Sequence, residues 1–510
     1  MFKKWLGFIL SAVIVLLFAS GCNRTNLVEE NSTSEQEVMD DKLSEEQIQT
    51  PKYVFMFIGD GMSQVQVNAA QVYLGNNTSG EVALNQLNFT QFSNTGLVTT
   101  QDSTSFAPDS ASTATALSSG VKTHSGVIGL DASKTKEPES ITEKLKAAGK
   151  KIGIVSTVTI NHATPAAYYA HAESRGDYYG IATQMATSDF DYFAGGSINQ
   201  PTGKNEDQQD VYELLKENGY TIPMTKEEIL ALNSSSGKVY APSPILQDDG
   251  AMPYTLDAQE GDLTLADFVQ KGVEVLDNEE GFFMMVESGK IDWACHANDA
   301  MSAIQEVLGF EKAVQVAIDF AHEHPDETLI VVTGDHETGG MSIGYSKTGY
   351  NTAFQILDAQ KMSYVAFDSL VEEMIAANSN LTFEEMLPVI KENFGLMIST
   401  DIDVSKEENR LLVLTDYELE KLKVGFEETM KSSDDRISNE ETQLLYGAYN
   451  PLSVSLTHLL NNKAGIGWTS YAHTGTPVAI HAMGVGAEAF NGYYDNVDVF
   501  NKLVEVCELD

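Results

Sequence analysis

The feature that most constrains the fold is a series of short apolar runs separated by stretches with helical patterning. Each run is almost continuously hydrophobic, which is typical of strands covered on both faces of a parallel sheet. The predicted strands are 53–58, 151–159, 282–286, 329–333 and 476–483. The sequence therefore predicts an α/β fold with a mostly parallel central sheet flanked by helices on both faces.

Polar residues with metal-binding side chains follow three of these runs directly. Asp60 comes after the first, Glu287 after the third, and Asp335-His336 after the fourth. Open α/β sheets place their ligand crevice beyond the carboxyl ends of the strands. We therefore expect these distant segments to converge on one site.

Ser110 opens a predicted helix of small residues, with Pro108 and Asp109 as start signals. A serine in the first turn lies at the positive end of the helix dipole, where a phosphate anion is stabilised. Such a serine is ordinarily a helix cap, so the position alone is weak support for a catalytic role.

Carboxylates and imidazoles recur at spacings that suit metal binding. Asp292 and His296 are four residues apart, on one face if the segment is helical. Asp335 and His336 follow a strand, and His473 precedes the last one. Zinc accepts this mixture of nitrogen and oxygen ligands, and a catalytic zinc keeps one position open.

Six motifs, in chain order, resemble those of the alkaline phosphatase family. They are Asp60-Gly61-Met62, Asp109-Ser110-Ala111, Ala163-Thr164-Pro165 with Arg175, Glu287 to His296, Thr333 to Gly340, and His473-Thr474-Gly475. The resemblance covers most of the chain and implies an alkaline phosphatase-like fold that hydrolyses phosphate monoesters. It also implies a homodimer, by analogy only.

The resemblance implies a role for each matching residue. Asp292, His296 and His473 would bind a first zinc ion. Asp60, Asp335 and His336 would bind a second zinc ion, beside Ser110. Asp60, Thr164 and Glu287 would bind magnesium, and Arg175 would bind two phosphate oxygens. Ser110 would attack phosphorus, and water would then hydrolyse the phosphoserine.

Two positions depart from the enterobacterial pattern and resemble marine and cold-adapted members. His162 stands where the enterobacterial proteins have aspartate, and Trp293 where they have lysine. We expect His162 and Asp109 to lie next to the ligands rather than to bind metal. For Trp293, simple packing is the alternative to a role near the phosphate.

The N-terminus is typical of a bacterial lipoprotein. Residues 1–21 combine Lys3 and Lys4, an apolar run and small residues before Cys22, which would carry the lipid. An ordinary secretory signal is the alternative. Residues 22–50 are polar and are predicted to be a flexible tether. We therefore expect an exported protein that is lipid-anchored to the cell envelope.

The remaining chain, 51–510, is predicted to be one catalytic domain with insertions at about 197–260 and 345–465. A separate domain is the alternative for 345–465. The formal net charge is −43, which makes nucleic acid a poor partner.

Two rival functions remain open from the sequence. One is a sulfatase or phosphodiesterase, although the Ser110 segment has no Cys-x-Pro-x-Arg-like motif. The other is a non-catalytic lipoprotein that captures zinc or phosphate.

Overall fold

The computed structural model describes residues 50–79, 82–432, 436 and 438–509. The predicted signal segment, Cys22 and the tether as far as residue 49 lie outside the described residues. No helix within the described ranges has the length and apolarity needed to cross a membrane.

Ten strands of the described chain form one central sheet. Four further strands form two separate pairs, β9 with β12 and β10 with β11. In chain order all strands of the described residues are β1 Tyr53–Gly59, β2 Asn94–Thr99, β3 Lys151–Ser156, β4 Tyr192–Gly195, β5 Tyr220–Thr221, β6 Lys238–Pro242, β7 Phe282–Ser288, β8 Thr328–Gly334, β9 Glu337–Thr338, β10 Ser342–Ile343, β11 Ile466–Gly467, β12 His473–Thr474, β13 Val478–Gly484 and β14 Gly492–Asp495. The central order is β14-β2-β13-β8-β1-β7-β3-β4-β6-β5. β13 runs antiparallel to β2 and β8, and the other neighbouring pairs are parallel. The predicted mostly parallel sheet is confirmed.

Helices cover both faces of this sheet. They are α1 Gln64–Ser79, α2 Ser110–Ser119, α3 Ile141–Ala147, α4 Ala163–Ala166, α5 Tyr178–Thr187, α6 Val211–Glu217, α7 Lys226–Leu230, α8 Leu265–Leu276, α9 Lys290–His296, α10 Ala300–Glu323, α11 Tyr364–Ala377, α12 Phe383–Phe394, α13 Asp416–Thr429, α14 Glu440–Tyr446, α15 Pro451–Ala464 and α16 Asn496–Val506. Short 3-10 helices occupy Asn88–Gln91, Phe354–Ala359, Ile402–Ser405, Glu407–Leu412 and Ala487–Phe490.

The side chains of β1 alternate between two apolar cores, one on each face. Phe55 and Phe57 pack into the core that contains α8, α10 and α15. Met56 and Ile58 pack into the other core, with α2, α5 and α16. Because successive strand residues point to opposite faces, an all-apolar strand requires cover on both sides.

The strand predicted at 151–159 ends earlier, at Ser156. Beyond this end, the Thr157 hydroxyl accepts hydrogen bonds from the backbone N–H groups of Gly289 (2.9 Å) and Lys290 (3.4 Å). These hydrogen bonds link the carboxyl end of β3 to the start of α9.

The two predicted insertions differ in structure. The 197–260 segment supplies β5 and β6, which extend the sheet at one edge, so it is not simply a surface addition. The 345–465 segment is helical, from α11 to α15, and contributes no strand to the central sheet in its described part. Both segments belong to the same compact unit as the sheet.

Candidate active site

The carboxyl ends of three adjacent strands meet at the site. Gly59 at the end of β1 pairs with Ser288 of β7 on one side and Gly334 of β8 on the other. The chain segments that follow these strand ends contain Asp60, Asp292 and Asp335. The crevice expected from the sequence is therefore present, and it brings the predicted site residues together.

Ser110 is the first residue of α2 and is buried. Asp109 caps the helix, since its side chain accepts a hydrogen bond from Ser112 N at 3.1 Å. The Ser110 hydroxyl lies 3.2 Å from His336 Nε2. The serine is thus both a helix-start residue, as the simple interpretation holds, and a neighbour of a predicted metal ligand.

Arg175 faces the same pocket from the loop before α5. Its Nη1 donates to Asp109 Oδ2 at 3.0 Å, and its Nη2 lies 3.2 Å from His162 Nε2. Burial alone would raise the pKa of Asp109, but Arg175 and several donors outweigh burial and lower it. Asp109 therefore stays ionised and holds the guanidinium in place.

The first predicted ligand group is compact and consists of Asp292, His296 and His473. His296 Nε2 is 3.4 Å from Asp292 Oδ2 and 3.0 Å from His473 Nε2, and His473 Nε2 is 3.5 Å from Asp292 Oδ1. The Nδ1 atoms donate to the carbonyl oxygens of Tyr471 and Pro108. Because a carbonyl only accepts, each Nδ1 carries a proton, and Nε2 of the neutral ring is then the nitrogen that can bind a metal.

Asp60, Asp335 and His336 form the second group and are buried. His336 Nε2 lies 3.3 Å from Asp60 Oδ1 and 3.4 Å from Asp335 Oδ2. Asp335 accepts hydrogen bonds from Gly61 N at 3.1 Å and Thr113 Oγ1 at 3.0 Å. Burial and neighbouring carboxylates raise the pKa of Asp335 to about 8 and that of Asp60 well above its usual range.

Asp60 also belongs to a third group, with Glu287 and His162. Thr164 Oγ1 donates to Asp60 Oδ2 at 3.3 Å, and Ser156 donates to Glu287 Oε2. Burial raises the pKa of Glu287 to about 7. We expected His162 to lie next to the ligands, and one of its ring nitrogens lies within 4.8 Å of a carboxylate oxygen of both Asp60 and Glu287.

The donor sets fit divalent cations. Asp60 Oδ1 and Glu287 Oε1 are buried and have no hydrogen-bond partner. A buried carboxylate oxygen without a donor is costly, and a bound cation would remove that cost. Asp292 also lies in one group with His336 and His473, so the first two groups adjoin.

Four pocket residues were not singled out by the sequence. The pocket has a volume of about 300 Å³, and Ser110, Arg175 and the first predicted ligand group line it. The four additional lining residues are Asp248, Asp249, Tyr364 and Tyr449. Trp293 also lines it, and its ring lies edge-to-face with that of His162 at a centroid distance of 5.8 Å. No local pattern marks the four residues, because only the folded chain brings them to the pocket.

Comparisons with known proteins agree with this geometry. The family model for alkaline phosphatase matches residues 51–509. The chain is 32% identical to alkaline phosphatase 4 of Bacillus subtilis (strain 168), over 89% of this chain and 88% of that protein. The cold-active alkaline phosphatase from Shewanella sp. superposes with a TM-score of 0.71 at 28% identity, over 89% of this chain and 99% of that one.

A further solved structure is a histidine mutant of the alkaline phosphatase from the Antarctic bacterium TAB5, with Mg bound in its M3 site. It superposes with a TM-score of 0.60 at 26% identity, over 91% of this chain and 100% of that one. The family model and the Bacillus relative both span nearly all of the chain from residue 51 onward. The chain therefore belongs to the alkaline phosphatase family and is an enzyme that hydrolyses phosphate monoesters.

Proposed function

We propose that this enzyme works through a covalent phosphoserine on Ser110, with two zinc ions and one magnesium ion bound. The observation that supports this best is the position of the Ser110 hydroxyl, 3.2 Å from His336 Nε2 in a pocket that Arg175 shares. In the first step the Ser110 oxygen forms a bond to phosphorus, and the bond from phosphorus to the ester oxygen breaks. In the second step a water oxygen forms a bond to phosphorus, the bond from phosphorus to the Ser110 oxygen breaks, and phosphate is released.

The side chains around Ser110 have distinct tasks in this proposal. The N-terminal end of α2 stabilises the anionic phosphate. Arg175 donates two parallel hydrogen bonds to phosphate oxygens, a geometry that matches its planar guanidinium. Asp109 fixes the orientation of Arg175 through the 3.0 Å hydrogen bond.

The ligand chemistry supports the choice of metals. Asp292, His296 and His473 would hold one zinc ion, and Asp60, Asp335 and His336 the other. Asp60, Thr164 and Glu287 present oxygen ligands, which suit magnesium, with His162 beside them. In the TAB5 relative, magnesium is bound in the M3 site of a mutant in which a histidine is replaced by glutamate. Such cations would lower the pKa of the serine hydroxyl and stabilise the charge on the leaving oxygen.

A kinetic comparison tests the reaction and the nucleophile together. We expect wild-type enzyme to prefer phosphate monoesters to diesters and sulfate esters, and Ser110→Ala to lower kcat by about three orders of magnitude or more. Ser118→Ala is the matched control, since Ser118 lies on the same helix and donates to Ala167 O at 2.7 Å. A Ser110→Ala variant with normal metal content and near-normal kcat would exclude the serine nucleophile.

We also propose that the enzyme is a homodimer that is exported, anchored through a lipid on Cys22, and used to obtain phosphate outside the cytoplasm. The apolar run before Cys22 and the polar tether after it support the anchor. Cys22→Ser should move the protein from the membrane fraction to the soluble fraction, or block its processing. A wild-type protein that is wholly soluble, with an unmodified mature N-terminus, would contradict the anchor.

A further inference from the structure

A buried hydrogen-bond network centred on Glu337 lies behind the metal-binding histidines. Glu337 and Gln66 are each 1% exposed. Among the described residues, no lysine, arginine or histidine forms a salt bridge with Glu337. A buried carboxylate of this kind needs a full set of hydrogen-bond donors.

Four donors satisfy the Glu337 carboxylate. Oε1 accepts from Gln66 Nε2 at 2.9 Å and from Met341 N at 3.2 Å. Oε2 accepts from Gly340 N at 3.1 Å and from the Thr474 hydroxyl. Four hydrogen bonds to one side chain fix the positions of its partners relative to one another.

The network joins β12, which begins at His473, to β9, which begins directly after His336. Glu337 directly follows His336, and Thr474 directly follows His473. In the β9–β12 pair, Thr474 lies opposite Glu337. The hydrogen bond between these two side chains therefore sets the spacing of His336 and His473.

Gln66 extends the network to the other two ligand segments. Its Nε2 lies 3.8 Å from the sulfur of Cys295, which precedes His296. Its Oε1 accepts from Ser63 N at 3.0 Å, three residues after Asp60. Gln66 and Glu337 together thus contact a sequence neighbour of each of the three histidines.

We propose that Gln66, Glu337 and Thr474 are positioning residues that hold the three histidines in zinc-binding geometry before zinc arrives. This inference rests on the proposed function, because it takes zinc as the metal of the first two ligand groups. Without the network, the binding free energy of zinc would have to order these segments as well. Residues that support metal ligands in this way typically affect metal affinity by about 10- to 100-fold.

The test is a zinc titration of the metal-free full chain, with a chromogenic chelator as competitor. We expect Glu337→Gln to lower zinc affinity by about 10- to 100-fold while two zinc ions still bind at saturation. Thr474→Val keeps the side-chain shape and removes the hydroxyl donor, so its effect should be smaller. In the double variant the two losses should not add, because both remove the same hydrogen bond.

Glu306→Gln is the matched control. Glu306 is also a buried carboxylate, 3% exposed, and it accepts from Thr255 N at 2.6 Å. We expect it to lower the unfolding temperature and leave zinc affinity unchanged. Thr474→Val is the milder variant if Glu337→Gln does not fold.

The outcomes separate this inference from the proposed function. Wild-type enzyme that binds no zinc would overturn both. Wild-type enzyme that binds two zinc ions, with Glu337→Gln and Thr474→Val binding them equally tightly, would overturn the positioning role alone. Equal losses of zinc affinity in Glu337→Gln and Glu306→Gln would also overturn it, since a general loss of stability would then explain the result.

Discussion

Arg175 is the side chain whose contacts bear most directly on substrate binding. Asp109 holds one of its terminal nitrogens at 3.0 Å, and the His162 ring lies 3.2 Å from the other. Burial, and then the charge of Arg175, lower the pKa of His162 to about 3, so this imidazole is neutral beside the guanidinium. The guanidinium is therefore oriented on both sides while remaining open to the pocket.

Arg175→Lys should weaken phosphate binding. Lysine keeps the charge but lacks the planar pair of donors, so one charge-assisted hydrogen bond to phosphate is lost. Such a bond contributes roughly 1.5–3 kcal/mol, which corresponds to a loss of about 10- to 100-fold in kcat/KM. The measurements are kcat/KM for a phosphate monoester and the inhibition constant of inorganic phosphate.

Arg436→Lys serves as the control for that substitution. Arg436 donates to Thr429 O at 3.1 Å and does not line the catalytic pocket. An Arg175→Lys variant with unchanged phosphate inhibition would show that the guanidinium does not bind phosphate.

At this scale the sequence predicts ligands better than pocket walls. The metal-binding candidates fall in short motifs next to strand or helix ends, so local spacing identifies residues such as Asp335 and His296. Asp248, Tyr364 and Tyr449 come from segments far apart in the chain. Only tertiary packing brings them together, so no short-range sequence pattern predicts that they line the pocket.

Among the elements, α13 contributes one buried carboxylate, Glu418, that pairs with two lysines of the same 345–465 segment. Glu418 accepts from Lys347 Nζ at 2.7 Å and from Lys463 Nζ at 2.8 Å. Burial alone would raise the pKa of Glu418, but these hydrogen bonds outweigh burial and lower it to about 2. The carboxylate thus links α13 to α15 and to the chain after β10.

The contribution of Glu418 to stability should depend on pH. Its pKa is lower in the folded state than the value of about 4.5 expected when unfolded, so its contribution is fully present above about pH 4.5. It is lost as the pH falls toward 2. We expect the difference in unfolding free energy between wild-type and Glu418→Gln to be constant from pH 7 to 5 and to shrink below that.

Urea unfolding at several pH values, over the range in which the wild-type folds, measures this difference. Glu420→Gln, at an exposed position on the same helix, should show little difference at any pH. A difference for Glu418→Gln that stays constant down to pH 3 would contradict the ion-pair account.

Long apolar strands were predictable, but the short strand β5 and the antiparallel direction of β13 were not. β1, β7 and β8 are buried along their whole length, so their sequences are distinctive. β5 has only two residues, and a run this short has no periodicity to detect. The antiparallel direction of β13 depends on how the 345–465 segment returns to the sheet, which residue patterns do not encode.

For the whole molecule, the fold places several buried carboxyl groups close together at one end of the central sheet. Asp60, Glu287 and Asp335 lie fully buried at the carboxyl ends of adjacent strands, and all three have raised pKa values. The chain as a whole carries a formal charge of −43. In the proposed mechanism, a dianionic phosphate ester would bind through local cations and Arg175, against the net field of the protein.

The most direct test of the account is to trap the covalent intermediate. Wild-type enzyme with zinc and magnesium is mixed with excess phosphate monoester, quenched in acid, digested and mapped by mass spectrometry. The account predicts one phosphate on the peptide that contains Ser110, and none on the same peptide from Ser110→Ala. Rapid turnover with no phosphate on Ser110, or with phosphate on a different residue, would contradict it.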